Sequence, residues 1–160
     1  MNHRDAKLVK RTQSNKQQTM LEVKRFSFRD KEMAEQAFAI RKKVFVEEQG
    51  VDPSLEYDHE KEARHYLLVL GGKAVATARW RETGKGIKLE RFAVLPGFRN
   101  RGLGEIILRE VLRDAVALEK PIYLHAQLRA VPFYERNGFY KSGEQFTEAG
   151  IGHFVMKLTD

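Results

Sequence analysis

Residues 94–104 read Val-Leu-Pro-Gly-Phe-Arg-Asn-Arg-Gly-Leu-Gly and lie between a strand-like apolar run and the start of an amphipathic helix. A helix N-terminus presents unpaired N–H groups and the positive end of its dipole, a combination that suits a pyrophosphate. Gly102 and Gly104 remove the Cβ atoms that would hold phosphate oxygens away from those amides, and Arg99 and Arg101 add fixed positive charge beside them. Two other phosphate loops fail on specific residues. Glu105 follows Gly104 where a nucleoside-triphosphate loop needs Lys and Ser/Thr, and the continuation GLGEII lacks the third glycine of a dinucleotide fingerprint. A lone GxG is most often a turn before an ordinary helix; strand, proline, arginine, GxG and helix in series favour a phosphate cradle.

The elements around this loop follow from hydrophobic period and punctuation. Leu103, Ile107, Leu108, Val111, Leu112 and Ala115 recur at helical spacing, and Pro121 stops the helix. Upstream, Ile87 to Leu95 reads as a strand after the Gly84 and Gly86 turn, with Glu90 on the face of Lys88, Phe92 and Val94 by period two. His65 to Leu70 and Lys73 to Glu82 form a hairpin about Gly71 and Gly72. Leu21 to Phe28 places Leu21 and Val23 in one phase and Phe26 and Phe28 in the other, which fits a bulged strand. Asp30 caps a helix built on Met33, Ala37, Ile40, Arg41 and Val44 and running toward Gly50; a loop or short helix then passes Pro53. Downstream come a strand at Ile122 to Gln127, a short helix at Ala130 to Asn137, and a closing strand pair at Phe139 to Phe146 and Ile151 to Leu158. The expected fold class is α/β (α+β), a single mixed, mostly antiparallel sheet of about six to seven strands flanked by helices.

The loop and a second block resemble the GCN5-related N-acetyltransferase (GNAT) superfamily. Its Arg/Gln-x-x-Gly-x-Gly/Ala signature stands here as Arg99 to Gly104 after Val94, Leu95, Pro96, and Phe133, Tyr134, Glu135, Arg136, Asn137, Gly138, Phe139 is similar to its FYExxGF block. Element order extends the resemblance over residues 20–158. VFVEEQGV, LHAQ and GIGHFVM are similar to the ElaA/YjcF-like branch.

The resemblance implies an acyl-CoA N-acyltransferase fold and an acetyltransferase using acetyl-CoA, with direct transfer to a primary amine; His59, His65 and the surrounding acids do not match HExxH spacing, so no catalytic metal is expected. It places the pyrophosphate on Arg99, Asn100, Arg101, Gly102, Leu103 and Gly104, mainly through backbone amides. It sets the pantetheine arm beside Phe92, Ala93 and Val94, and makes Tyr134 the acid that protonates the departing thiolate. Gln127 stands where many members carry an Asn that contacts the cofactor arm. For the base, family habit points to the fourth strand and Glu90, or to water; His65, His125 and His153 are further titratable candidates. The segment after the first helix commonly walls the acceptor site, so Glu48, Glu56 and Asp58 are candidates for attracting a cationic amine, on a small molecule or a peptide. The alternative is a non-catalytic acyl-CoA-binding module that keeps the loop without the chemistry.

Composition bounds the rest. The 160 residues contain no cysteine, which excludes disulfides, a thiolate nucleophile and cysteine-based metal sites. No apolar run reaches the roughly 20 residues of a membrane span, so the expectation is a soluble, cytoplasmic protein with no membrane partner and with a homodimer left open. The net charge of +7 divides unevenly: residues 1–19 carry +4, residues 47–62 carry −6, and the remainder +9. Residues 1–19 read as a disordered basic leader, with Met20 a second possible start, and residues 20–160 as the domain. No nucleic-acid signature accompanies the charge, and the interior acids would repel a phosphate backbone.

Overall fold

The structure, a computed structural model, describes residues 20–160. The basic leader expected at residues 1–19 lies outside the described residues.

Strand β1 (Leu21–Phe26) keeps its period of two without a break, and because helices cover both faces of the sheet each phase can reach a core. Leu21 and Val23 bury in one core and Phe26 in the other. Its pairing with β2 (Arg64–Leu70) runs unbroken from Leu21↔Leu70 to Phe26↔His65. The expected bulge and the extension to Phe28 are therefore corrected: the change of phase marks a second core.

Asp30 caps α1 (Lys31–Arg41), its side chain accepting from the Met33 N–H at 3.1 Å. The chain continues as a π-helical segment, Lys42–Glu48, in place of the α-helix expected up to Gly50. The wider turn brings Val44 and its neighbour Phe45 into the core together. A short helix α2 (Pro53–Glu56) follows.

Strands β3 (Lys73–Thr83), β4 (Gly86–Val94), β5 (Ile122–Gln127), β6 (Phe139–Glu148) and β7 (Ile151–Leu158) complete a seven-stranded sheet in the order β1-β2-β3-β4-β5-β7-β6. Among the described residues every neighbouring pair is antiparallel except β4–β5. Helix α3 (Leu103–Val116) makes the crossover from β4 to β5 and so lies flat on one face, burying Leu103, Ile107, Leu108, Val111 and Ala115 against Tyr66, Leu68, Leu89 and Leu124. The opposite face holds a smaller core of Ala34, Ala37, Ile40, Val44 and Phe45 over Phe26, Leu67 and Ala93. Helix α4 (Val131–Arg136) joins β5 to β6 and adds Tyr134 to the α3 side.

Candidate active site

Strands β4 and β5 pair only from Ile87↔Ile122 to Leu89↔Leu124, although β4 runs on to Val94 and β5 to Gln127. The cause is a bulge in β4. Arg91 sits at φ 57°, and the β3 ladder passes from Arg79↔Glu90 to Thr77↔Ala93, three steps on β4 against two on β3. A bulge bends its strand and sharpens the twist, so β4 swings away from β5. Left-handed backbone at an arginine costs roughly 1–2 kcal/mol, offset here by the packing on either side. Backbone groups of β4 that would have bonded β5 then face open space and need another partner.

The parting strands enclose a cleft of ≈ 1100 Å³, with Leu103, Phe133 and Tyr134 on its α3 side and Val44 and Phe45 on its α1 side. The bulge also resets the side-chain phase. Phe92 and Val94 turn to the α3 core with Ile87 and Leu89, while Ala93 packs under α1. The expectation that Glu90 shares a face with Phe92 and Val94 is corrected on this ground: Glu90 lies before the bulge, in the phase opposite to Leu89.

On the α3 side the cleft ends at the helix N-terminus. Gly102 caps α3 at φ 78° with no side-chain cap, and nothing stands within 4 Å of where its Cβ would be. Gly102, Leu103, Gly104 and Glu105 line the cleft, so the first-turn N–H groups of α3, which have no intrahelical acceptor, border it. The expected loop residues Arg99, Asn100, Gly102, Leu103 and Gly104 line the cleft with Phe92, Ala93, Val94 and Gln127; Arg101 does not, its guanidinium lying 5.1 Å over the Phe98 ring. Arg99 is held at both ends, its Nε donating to the Val94 carbonyl at 2.9 Å and its two terminal nitrogens to the Glu48 carboxylate at 2.7 Å each. Tyr134 is buried edge-on to Phe92, Phe133 and Phe139. Nothing among the described residues hydrogen-bonds its hydroxyl, and burial alone pushes its pKa well above the phenol range.

A family model described as the acetyltransferase (GNAT) domain matches residues 28–160, covering strands β2 to β7, the loop and Tyr134 together. The chain belongs to the GNAT acetyltransferase family. It is 37% identical over 131 residues to a Bacillus subtilis protein named as the uncharacterised N-acetyltransferase YjcF, across 80% of this chain and 94% of that protein. Escherichia coli ElaA superposes with a TM-score of 0.78 at 25% identity, over 88% of this chain and all (100%) of that one. An acyl-CoA N-acyltransferase from Pseudomonas aeruginosa shares the fold with a TM-score of 0.77 at 24% identity, over 87% and 99% of the two chains.

As a GNAT member the protein is an acyltransferase with an acyl-coenzyme A donor, and the uncapped α3 terminus beside Gly102 fits a pyrophosphate. Among the described residues no three His, Cys, Asp or Glu side chains gather as a metal site.

The α1 side of this GNAT cleft is polar and already heavily paired. Glu90 is buried and receives Arg79 at 2.8 Å, Arg81 at 3.0 Å and Lys88 at 3.2 Å. Burial works to raise its pKa, but the three cations prevail and hold it at about 2. A carboxylate so held takes a proton poorly near neutral pH, which argues against the base expected there. Asp58 is engaged by Arg79 and Arg91, each at 3.0 Å, and Glu48 by Arg99, which keeps the Glu48 carboxyl below its usual range. Two of the three acids offered for a cationic acceptor are thus bound to arginines; the Glu56 side chain lies outside the described residues.

The histidines separate cleanly. His65 is buried under Phe26, bonded to the Glu60 carbonyl at 3.0 Å, and desolvation lowers its pKa. His153 lines the cleft but is buried, its Nδ1 tied to the Ile151 carbonyl at 2.7 Å. His125 lines the cleft half-buried on β5, just past the last β4–β5 pair, with Nδ1 2.9 Å from the Glu148 carboxylate. Sequence reasoning missed Glu148, which the β6–β7 hairpin carries across β7, and Gln49, whose carbonyl oxygen accepts from the Gln127 amide at 2.8 Å. No local spacing links either pair: Glu148 meets His125 across the sheet, and Gln49, at the end of the π-helical segment, meets Gln127 from 78 residues away.

Proposed function

We propose that this protein transfers an acetyl group from acetyl-coenzyme A directly to a primary amine, the two substrates meeting through the gap between β4 and β5. The observation that carries this is the continuity of the cleft: an open helix terminus and Tyr134 on one face, the His125–Glu148 pair on the other. The thioester, when bound, supplies an acyl carbon and a thiol leaving group. The α3 amides and the loop from Arg99 to Gly104 hold the pyrophosphate, and Arg101 adds charge from outside the wall. Amides of Phe92, Ala93 and Val94 orient the pantetheine arm and polarise the carbonyl, and Gln127 lies beside that arm. His125, oriented by Glu148, takes a proton from the amine nitrogen as the N–C bond forms. Tyr134 gives its proton to the sulfur as the C–S bond breaks, so protons balance across the step.

Thioester consumption with an amine panel tests the proposal; coenzyme A binding without turnover of any amine overturns it in favour of a binding module. His125→Asn is expected to lower kcat by about 10²-fold with KM for acetyl-coenzyme A unchanged, and an unaltered kcat removes His125 from the mechanism. Glu48→Gln frees Arg99 for the pyrophosphate, so the Kd for coenzyme A should fall by about two- to fivefold, the range of a half-exposed ion pair. Calorimetry showing weaker binding instead would make the Arg99–Glu48 pair part of the receptor.

A further inference from the structure

On the α1 side of the cleft, three cations share one carboxylate. Arg79, Arg81 and Lys88 all reach Glu90, and Arg81 does so through Nε at 3.0 Å, leaving its two terminal nitrogens without an acceptor among the described residues. Arg81 and Lys88 both line the cleft, and each side chain is only 15% exposed. Arg79 is wholly buried and gives its remaining donors to Asp58 and Glu60. Of the other carboxylates lining this side, Glu148 is taken by His125, and Asp58 by Arg79 and Arg91. Glu62, whose field reaches Arg81, is bonded to His59. Two largely desolvated cations therefore face the cleft with less than one carboxylate between them. Such a surplus is costly until an anion completes it, and a guanidinium edge beside an ammonium matches a carboxylate. A polycationic amine would meet the same wall as repulsion.

The placement is specific. Lys88 stands opposite Tyr123 in the parallel ladder, one step before the strands part, and His125 stands one step after the last pair, Leu89↔Leu124. Resting on the acyltransferase reading above, we propose that the acceptor is an amine that also carries a carboxylate, as an amino acid does, with the carboxylate seated on Arg81 and Lys88 while the amine faces the gap beside His125.

Matched pairs that differ by the carboxylate alone test this: phenylalanine against phenethylamine, ornithine against putrescine, lysine against cadaverine. Each is titrated calorimetrically into full-length protein saturated with coenzyme A, and turnover is measured separately with acetyl-coenzyme A. In at least one pair the carboxylated member is expected to bind about tenfold tighter or more. Arg81→Gln and Lys88→Met should each remove most of that preference while leaving the coenzyme A Kd unchanged, which separates an acceptor subsite from a site for the donor's phosphates. Equal binding within every pair, tighter binding of the decarboxylated members, or no binding of any carboxylated member overturns the subsite. Should Arg81→Gln fail to fold, Lys88→Met and the wild-type comparison still decide. Carboxylate-dependent binding without thioester consumption keeps the subsite and overturns the acyltransferase reading, so the two fail separately.

Discussion

Tyr134→Phe is expected to lower kcat by roughly 10²-fold or more while the affinity for coenzyme A stays within about twofold of wild type. Removing one hydroxyl leaves the ring in its box of Phe92, Phe133 and Phe139, so the cleft keeps its shape. In the proposed mechanism what is lost is the proton for the leaving sulfur, and water reaches a buried tyrosine position poorly. The upward pKa shift has a further consequence: the phenol stays protonated throughout the neutral and mildly alkaline range, so no loss of rate there should come from Tyr134. Rate profiles of wild type and Tyr134→Phe should therefore keep the same alkaline limb at different heights. A variant retaining most of its kcat would assign protonation of the thiolate elsewhere.

Arg79→Met should destabilise the protein by about 3–5 kcal/mol, the scale for removing one partner from a buried ion pair. Arg79 is 1% exposed and joins Glu90, Asp58 and Glu60, while Glu60 is also held by Arg41 at 2.6 Å. The network links the C-terminal end of α1, the segment before β2, and strands β3 and β4, which places it directly behind the bulge. Its dependence on pH has a definite sign. Glu90 is depressed to about 2 when folded, so its contribution is complete above the ordinary Glu range near 4.5 and is lost as pH falls from there toward 2. Denaturant midpoints measured across that window should fall for wild type and change less for Arg79→Met, where the depression is relieved. A midpoint at neutral pH equal to wild type would show that Arg81 and Lys88 suffice for Glu90.

The two motifs were legible because their chemistry is local. The left-handed turn at Gly102 and the start of α3 at Leu103 both fall within Arg99 to Gly104, so six residues announce them. The order of elements was legible for a similar reason, since turns at Gly71–Gly72 and the stop at Pro121 lie where the pattern changes. The β4 bulge was not: nothing in Glu90, Arg91, Phe92 announces a left-handed arginine, and period two carried Glu90 onto the wrong face. The acidic stretch misled in the same way. Glu48 and Asp58 read as open charges until the fold set Arg99 51 residues from one and Arg79 21 residues from the other.

By itself the sequence determined the kind of molecule, a GNAT acyltransferase built on a mixed sheet, because its motifs and the order of its elements are local features of the chain. Only the tertiary structure decided which charges remain for a substrate. Whether an ionised side chain is a ligand or a brace depends on what lies within about 4 Å of it, and for Glu48, Asp58, Arg81 and His125 those neighbours come from other parts of the chain.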